Sequence, residues 1–142
     1  KSNLTNIQFI FNVADKQGLI FEIIASSVKK NRSSLTLFDD KALMVSLSDM
    51  LWHNDVFSFL PHQTNKSSSI NRICLSDNGI KHMDDILINA TNEKIEGFSR
   101  YLKLYELIGL DELEKANARE RFTFYKDCGY KLSATDHSQV IL

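Results

Sequence analysis

The stretch that decides the fold is IQFIFNV at residues 7–13, followed after Gly18 by LIFEIIASSVKK at residues 19–30. Apolar residues stand at every second position of the first segment, which predicts a strand with one apolar face. In the second segment they recur at the spacing of one helix face, at Leu19, Ile20, Ile23, Ile24 and Val28. The chain is therefore predicted to open with a strand and a helix.

A second strand and a second helix follow. Residues 34–38, SLTLF, are typical of a strand, and Asp40 stands where it can cap the next helix. The predicted buried stripe of that helix is Leu43, Leu47, Met50 and Leu51. The polar, Ser-rich residues 63–69 predict a loop.

The remaining chain continues the alternation of strands and helices. Strands are predicted at residues 70–75, 85–89 and 101–108, and a last helix over residues 111–127, ended by Gly129. Such alternation predicts the α/β class: a single three-layer domain with a mixed, largely parallel central sheet flanked by helices.

The length indicates one domain over residues 1–142, since 142 residues suffice for one hydrophobic core. We expect that core in residues 1–132. Residues 133–142 are predicted to form a C-terminal tail, which can be flexible.

The composition is that of a globular protein, with 43% apolar and 25% charged residues. Lys and Arg number 17 against 18 Asp and Glu, so the net charge of -1 disfavours autonomous or sequence-specific nucleic-acid binding. Cys74 and Cys128 lie too far apart to predict a zinc or disulfide framework. Without a signal segment or a long apolar run, we expect a cytoplasmic protein with no membrane contact.

Two groups of residues are candidates for a catalytic or metal-binding role. Asp39 and Asp40 follow a buried strand, as in the magnesium-binding strand end of a nucleotide hydrolase, but no glycine-rich phosphate loop accompanies them. An α/β nucleotide-binding or hydrolase domain is therefore the alternative hypothesis, and a helix cap the simpler one. His82, Asp84 and Asp85 fit no standard zinc spacing, so we expect no catalytic residue, metal or cofactor.

The predicted last helix places cations and an aromatic ring on one stripe, at Lys115, Arg119, Phe122 and Lys126. Ala118 and Tyr125 extend this stripe, and a second apolar face lies opposite, at Leu113, Phe124 and Cys128. The stripe is either core with cations at its edge, or a cationic rim beside an aromatic pocket. A pocket of that kind suits an acidic peptide with a terminal apolar side chain.

Three motifs together resemble one family. They are Trp52 with FLPH at residues 59–62, DILIN at 85–89, and ARERF, Tyr125 and Gly129-Tyr130 within 118–130. In order and spacing they resemble the chi subunit of DNA polymerase III, over about residues 52–132. The resemblance implies an α/β fold, no catalytic activity and an adaptor role in the replisome. It also implies two protein partners: the psi subunit of the clamp loader, and the acidic, phenylalanine-ended tail of single-stranded DNA-binding protein.

The same resemblance assigns residues to each partner. It implies that the tail binds the last helix at Lys115, Arg119 and Phe122, with Ile108 and Tyr130 as neighbours. Relatives often have Tyr where this chain has Phe122, so one hydroxyl contact is lost and the apolar wall is kept.

For psi, the implied residues are Trp52, Phe59 and Pro61. A lone Trp is also a common core residue, so a packing role for Trp52 remains open.

Overall fold

The computed structural model describes residues 5–30, 32–53, 62–64, 73–76 and 85–137. These residues contain the strands β1 (Asn6–Phe11), β2 (Ser34–Phe38), β3 (His62–Thr64), β4 (Ile73–Ser76), β5 (Ile86–Ala90), β6 (Lys103–Leu107) and β7 (Lys131–Asp136). They also contain the helices α1 (Lys16–Lys29), α2 (Lys41–Trp52) and α3 (Glu112–Asp127), and a short 3₁₀ turn at Phe98–Arg100.

The strands form one sheet in the order β3-β4-β2-β5-β6-β1-β7. Each pairing among the described strands is parallel, so the α/β prediction is confirmed and the predicted mixed character of the sheet is not seen there. Parallel strands need crossover connections, and the helices α1, α2 and α3 connect β1 to β2, β2 to β3 and β6 to β7.

Helices cover both faces of the sheet. Ile10 and Ile88 pack with Ile20 of α1 and Leu47 of α2 in one buried cluster. Phe9, the neighbour of Ile10, points the other way and joins a second buried cluster, whose α3 members are Ala118 and Tyr125. Strand β1 contributes apolar side chains to both clusters. Helices therefore pack on both faces of the sheet, which gives three layers.

The helix starts agree with the sequence predictions. The carboxylate of Asp40 accepts hydrogen bonds from the backbone N–H groups of Ala42 and Leu43, at 3.0 and 3.4 Å. Asp111 caps α3 in the same way through the N–H of Glu114. In α2 the fully buried residues are Met44, Leu47 and Leu51, while Leu43 and Met50 are partly buried at the edge of the stripe.

Strand β7 was missed by the sequence prediction. It pairs along β1 from Asn6–Lys131 to Phe11–Asp136, so residues 133–136 of the predicted tail lie in the sheet. Edge strands bury only part of their surface, so their sequences carry little apolar alternation. The predicted loop at 63–69 also begins too early, since Gln63 and Thr64 belong to β3.

Other predicted elements agree with the structure to within a few residues. The strand predicted at 70–75 contains the start of β4, those at 85–89 and 101–108 correspond to β5 and β6, and Gly129 follows α3 with φ 88°. The apolar face proposed opposite the cationic stripe does not meet the sheet, since Leu113, Phe124 and Cys128 are exposed.

Candidate functional site

A hollow of about 340 Å³ lies between α3 and the strands β1 and β7. Its lining is mostly apolar or aromatic, with two cations on the α3 side. The lining residues are Phe9, Phe11, Asn12, Ile108, Lys115, Ala118, Arg119, Phe122 and Ala134.

Packing of α3 onto β1 creates the hollow. The rings of Phe9 and Phe122 meet edge to face with their centroids 5.2 Å apart, and Phe9 also contacts Tyr125 at 6.0 Å. Beside this contact, β7 presents Ala134 in register with Phe9. A methyl group at that position leaves space that a larger side chain would fill, so Phe11 and Phe122 remain partly exposed.

The two cations of the hollow differ in their surroundings. Lys115 Nζ lies 3.6 Å from Glu112 Oε2, and the lysine side chain is 23% exposed. Arg119 is exposed, and within the described part of the chain no carboxylate forms an ion pair with it. A guanidinium group in this position is available for a bidentate bond to a carboxylate of a ligand.

The strand side of the rim is formed by Asn12. Its backbone is left-handed, with φ 62°, a conformation that Asn tolerates better than most residues. Its side-chain amide donates a hydrogen bond to Asp136 Oδ1 at 3.0 Å, which ties the end of β1 to the end of β7. The hollow therefore has cations along α3 and the amide of Asn12 at the strand ends.

The structure brings together four of the five residues that the resemblance assigned to one site: Lys115, Arg119, Phe122 and Ile108. Tyr130 is the exception. Its ring packs against Phe98 at 5.0 Å and Tyr125 at 6.4 Å, and it does not line the hollow. Tyr130 instead packs against Tyr125 of α3 and Phe98 of the 3₁₀ turn.

The structure divides the residues of the α3 stripe between the core and the hollow. Ala118 and Tyr125 are buried core, as the packing reading required, whereas Phe122 is only partly buried and lines the hollow. The sequence prediction missed the contributions of Phe11 and Ala134. The alternation of β1 had indicated an apolar face there, but not which helix it meets.

A buried polar cluster lies beneath α3. Glu106 of β6 is fully buried, and it accepts hydrogen bonds from Tyr125 Oη at 2.7 Å, Asn89 Nδ2 at 2.9 Å and Arg121 Nε at 3.2 Å. Arg121 Nη1 also donates to the backbone oxygen of Asn92 at 3.1 Å. These bonds tie α3 to the sheet and to the segment that follows β5.

Burial governs the ionisation of this cluster. Desolvation raises the pKa of the Glu106 carboxyl, and the charge of Arg121 is the main influence that lowers it. Desolvation and the neighbouring Glu106 charge raise the pKa of the Tyr125 hydroxyl, which therefore remains a proton donor. Because the cluster faces the core, its role is to position α3.

The structure assigns the other candidate residues as follows. Asp40 uses its carboxylate to cap α2, and Asp85 accepts from the backbone N–H and hydroxyl of Ser33 at 2.8 and 3.0 Å. His82 and Asp84 lie outside the described residues. Within the described ranges no three His, Cys, Asp or Glu side chains are grouped to hold a metal ion, and no helix is long and apolar enough to cross a membrane.

The residues assigned to psi cannot be placed in the same way. Trp52 ends α2, but its side chain is not among those described. Phe59 and Pro61 lie outside the described residues.

The fold and the hollow together define a class: a parallel α/β domain with a hollow lined by apolar residues and two cations. The family model of the DNA polymerase III chi subunit, HolC, matches residues 4–133, and the chain belongs to this family. No individual curated protein matches it. The chi subunit is an accessory and not a catalytic subunit of the polymerase, so the chain has an accessory role in DNA replication.

Proposed function

We propose that this chain is a cytoplasmic replisome adaptor that joins the clamp loader, through the psi subunit, to the acidic C-terminal tail of single-stranded DNA-binding protein. The observation that carries the proposal is the hollow beside α3. It combines an apolar wall with Lys115 and Arg119, the chemistry needed for a ligand that is both acidic and aromatic-ended.

The terminal phenylalanine of the tail enters the apolar part of the hollow, against Phe9, Ile108 and Phe122. Burial of a phenylalanine side chain contributes about 1.5–3 kcal/mol, which alone supports only weak binding. Carboxylates of the tail supply the rest through Arg119, because charge-assisted hydrogen bonds contribute about 1.5–3 kcal/mol each.

Lys115 contributes positive charge to the hollow rather than a hydrogen bond of fixed geometry. Its partner Glu112 is 82% exposed, and ion pairs exposed to that degree contribute little. The ligand carboxylate can therefore replace Glu112 as the partner of Lys115 at small cost. Attraction between the acidic tail and these cations speeds encounter and is weakened by added salt.

Replacement of Arg119 by Ala tests the proposal. We expect affinity for a fluorescent tail peptide, measured by anisotropy, to fall by about ten- to hundredfold, equivalent to one charge-assisted bond. The fold should be retained because Arg119 is exposed. Arg100→Ala, an exposed arginine in the 3₁₀ turn that does not line the hollow, is the matched control.

A second arm of the same titration tests the apolar part of the hollow. A tail peptide whose terminal Phe is replaced by Ala should bind as weakly to the wild-type protein as the intact peptide binds to the Arg119 variant, or more weakly. Equal affinity of both peptides for the wild-type protein, or equal affinity of Arg119→Ala and Arg100→Ala for the intact peptide, would refute the assignment.

For psi, we propose a surface around Trp52, Phe59 and Pro61. These residues are distant in sequence from the α3 residues that line the hollow. Two separate surfaces allow bivalent tethering, in which each weak contact raises the local concentration of the other partner. Family membership and the aromatic character of this segment support the proposal.

A further inference from the structure

The amino-terminal edge of the sheet carries lysines on one face. The register places Lys103 of β6, Asn6 of β1 and Lys131 of β7 side by side. Residues in register on neighbouring strands point to the same face, so these three side chains share it. Two strand spacings separate the lysines, which places their Cα atoms roughly 10 Å apart.

In the described part of the chain, this face is exposed at the β1–β7 end of the sheet. It is the face on which α1 and α2 pack, but their main contacts are with β2, β4 and β5. Asn6, Lys131 and Ser133 are exposed. With Gln8 and Lys103 they line a shallow depression of about 220 Å³, called here the lysine patch.

Near the amino ends of the described strands, the cations Lys29, Lys30, Arg32, Lys103 and Lys131 outnumber the described carboxylates Asp85 and Asp127, although the whole chain carries -1. Lys29 and Lys30 end α1 on the same face, close to the start of β2, and are exposed. Asp85 also lies at this edge, but it faces Arg32 at 3.7 Å and accepts the hydrogen bonds from Ser33. Among the residues that the structure describes, no carboxylate lines the lysine patch.

We propose that the lysine patch binds the sugar–phosphate backbone of single-stranded DNA. Lysines attract phosphates, and the amide of Asn6 and the hydroxyl of Ser133 offer donors and acceptors to sugars and bases, while Gln8 Nε2 donates to Thr135 Oγ1 at 3.1 Å. The strip formed by three strands is roughly 10 Å across and nearly flat. A flat polar strip fits a single strand better than a duplex, whose grooves receive a projecting helix or ribbon.

This inference goes beyond the adaptor proposal, since the patch and the hollow share no residue. Membership of a replication family gives the patch access to single-stranded DNA. A protein held on the tail of a DNA-coating protein would need only a weak direct contact, because tethering raises the local concentration of DNA.

The test uses the full chain and a short fluorescein-labelled oligothymidylate, with anisotropy read at low salt and at tenfold higher salt. The wild-type protein should bind weakly at low salt. The salt slope is the fall in the logarithm of the affinity for each tenfold rise in salt. Loss of two phosphate contacts in Lys103→Gln/Lys131→Gln should make this slope shallower by roughly 1.4. Over a tenfold rise in salt, the double variant should therefore lose about 25-fold less affinity than the wild-type protein.

The control is Lys41→Gln/Lys94→Gln, which removes the same charge at the opposite edge of the sheet, after β2 and β5. It should bind the oligonucleotide like the wild-type protein. No binding by the wild-type protein at low salt, equal losses in both double variants, or equal binding of a duplex would overturn the proposal.

A competition arm separates the patch from the hollow. Excess acidic tail peptide should leave the oligonucleotide bound, because the two sites are distinct. Displacement by the peptide would place DNA in the hollow and overturn the proposal. Failure of DNA binding would leave the tail-peptide titration unaffected, so the two proposals can fail separately.

Discussion

At the scale of single residues, Arg121 differs most from what its sequence neighbours suggest. It lies in the ARERF motif beside Arg119, yet Arg121 is 5% exposed whereas Arg119 is exposed. The buried guanidinium is compensated by Glu106 and by the backbone of Asn92. Two arginines of one helix thus have separate roles, one in positioning α3 and one facing the hollow.

Replacement of Arg121 by Met should destabilise the protein by about 3–5 kcal/mol near neutral pH, because a buried carboxylate loses its charged partner. The loss should depend on pH. Burial already raises the pKa of Glu106 above 4.5, the ordinary value of a glutamate, and removal of Arg121 raises that pKa further. A carboxyl with a raised pKa supports the fold below pH 4.5 and loses that contribution as the pH rises through its folded-state value.

Urea unfolding of Arg121→Met at several pH values measures this effect, with stability expected to decrease as the pH increases. The double variant Glu106→Gln/Arg121→Met has no ionisable group at either position. Its stability relative to the wild-type protein should vary less over the same range, and a slope as steep as that of the single variant would contradict the account.

At the scale of elements, the hollow depends on an edge strand that is poorly marked in the sequence. Strand β7 supplies Ala134 opposite Phe9, and its last residue, Asp136, is bonded to Asn12. Helix α3 supplies the cations and Phe122. The wall of the hollow therefore comes from three elements that are distant along the chain.

Replacement of Ala134 by Phe should fill the hollow and reduce tail-peptide affinity by at least about tenfold, the equivalent of losing 1.4 kcal/mol of apolar burial. Ala134 is exposed, so thermal unfolding should change little. Ser133→Phe places the same ring on the opposite face of β7 and should bind the peptide normally. If the two variants bind equally well, the ligand does not occupy this hollow.

At the scale of the whole molecule, the proposed function requires two binding surfaces that act independently. The hollow lies at β1, β7 and α3, whereas Trp52 ends α2 and precedes β3, which forms the other edge of the sheet. Four strands, β4, β2, β5 and β6, stand between β3 and β1 in the sheet. Additive behaviour is expected for sites that share no partners.

Pull-down with purified psi and titration with the tail peptide should therefore separate the two surfaces. Arg119→Ala should lose the peptide and keep psi, and Trp52→Ala should lose psi and keep the peptide, provided that circular dichroism shows both variants to be folded. A variant that is folded and loses both partners would contradict independent tethering.

The amino-acid order by itself determined the local features. The periods of β1, α1 and β2, the caps at Asp40 and Asp111 and the end of α3 near Gly129 depend on neighbours a few residues apart. The stripe of Lys115, Arg119 and Phe122 follows from helical spacing alone.

Only the tertiary structure decided what those features meet. The pairing of Glu106 with Arg121, the contact of Phe9 with Phe122 and the row formed by Lys103 and Lys131 join residues from different elements. Strand β7 acquires its place from its backbone pairing with β1 and from the side-chain bonds Gln8–Thr135 and Asn12–Asp136, and the backbone bonds depend little on side-chain type. Propensity and period act locally, whereas a site needs long-range contacts that only the folded sheet brings together.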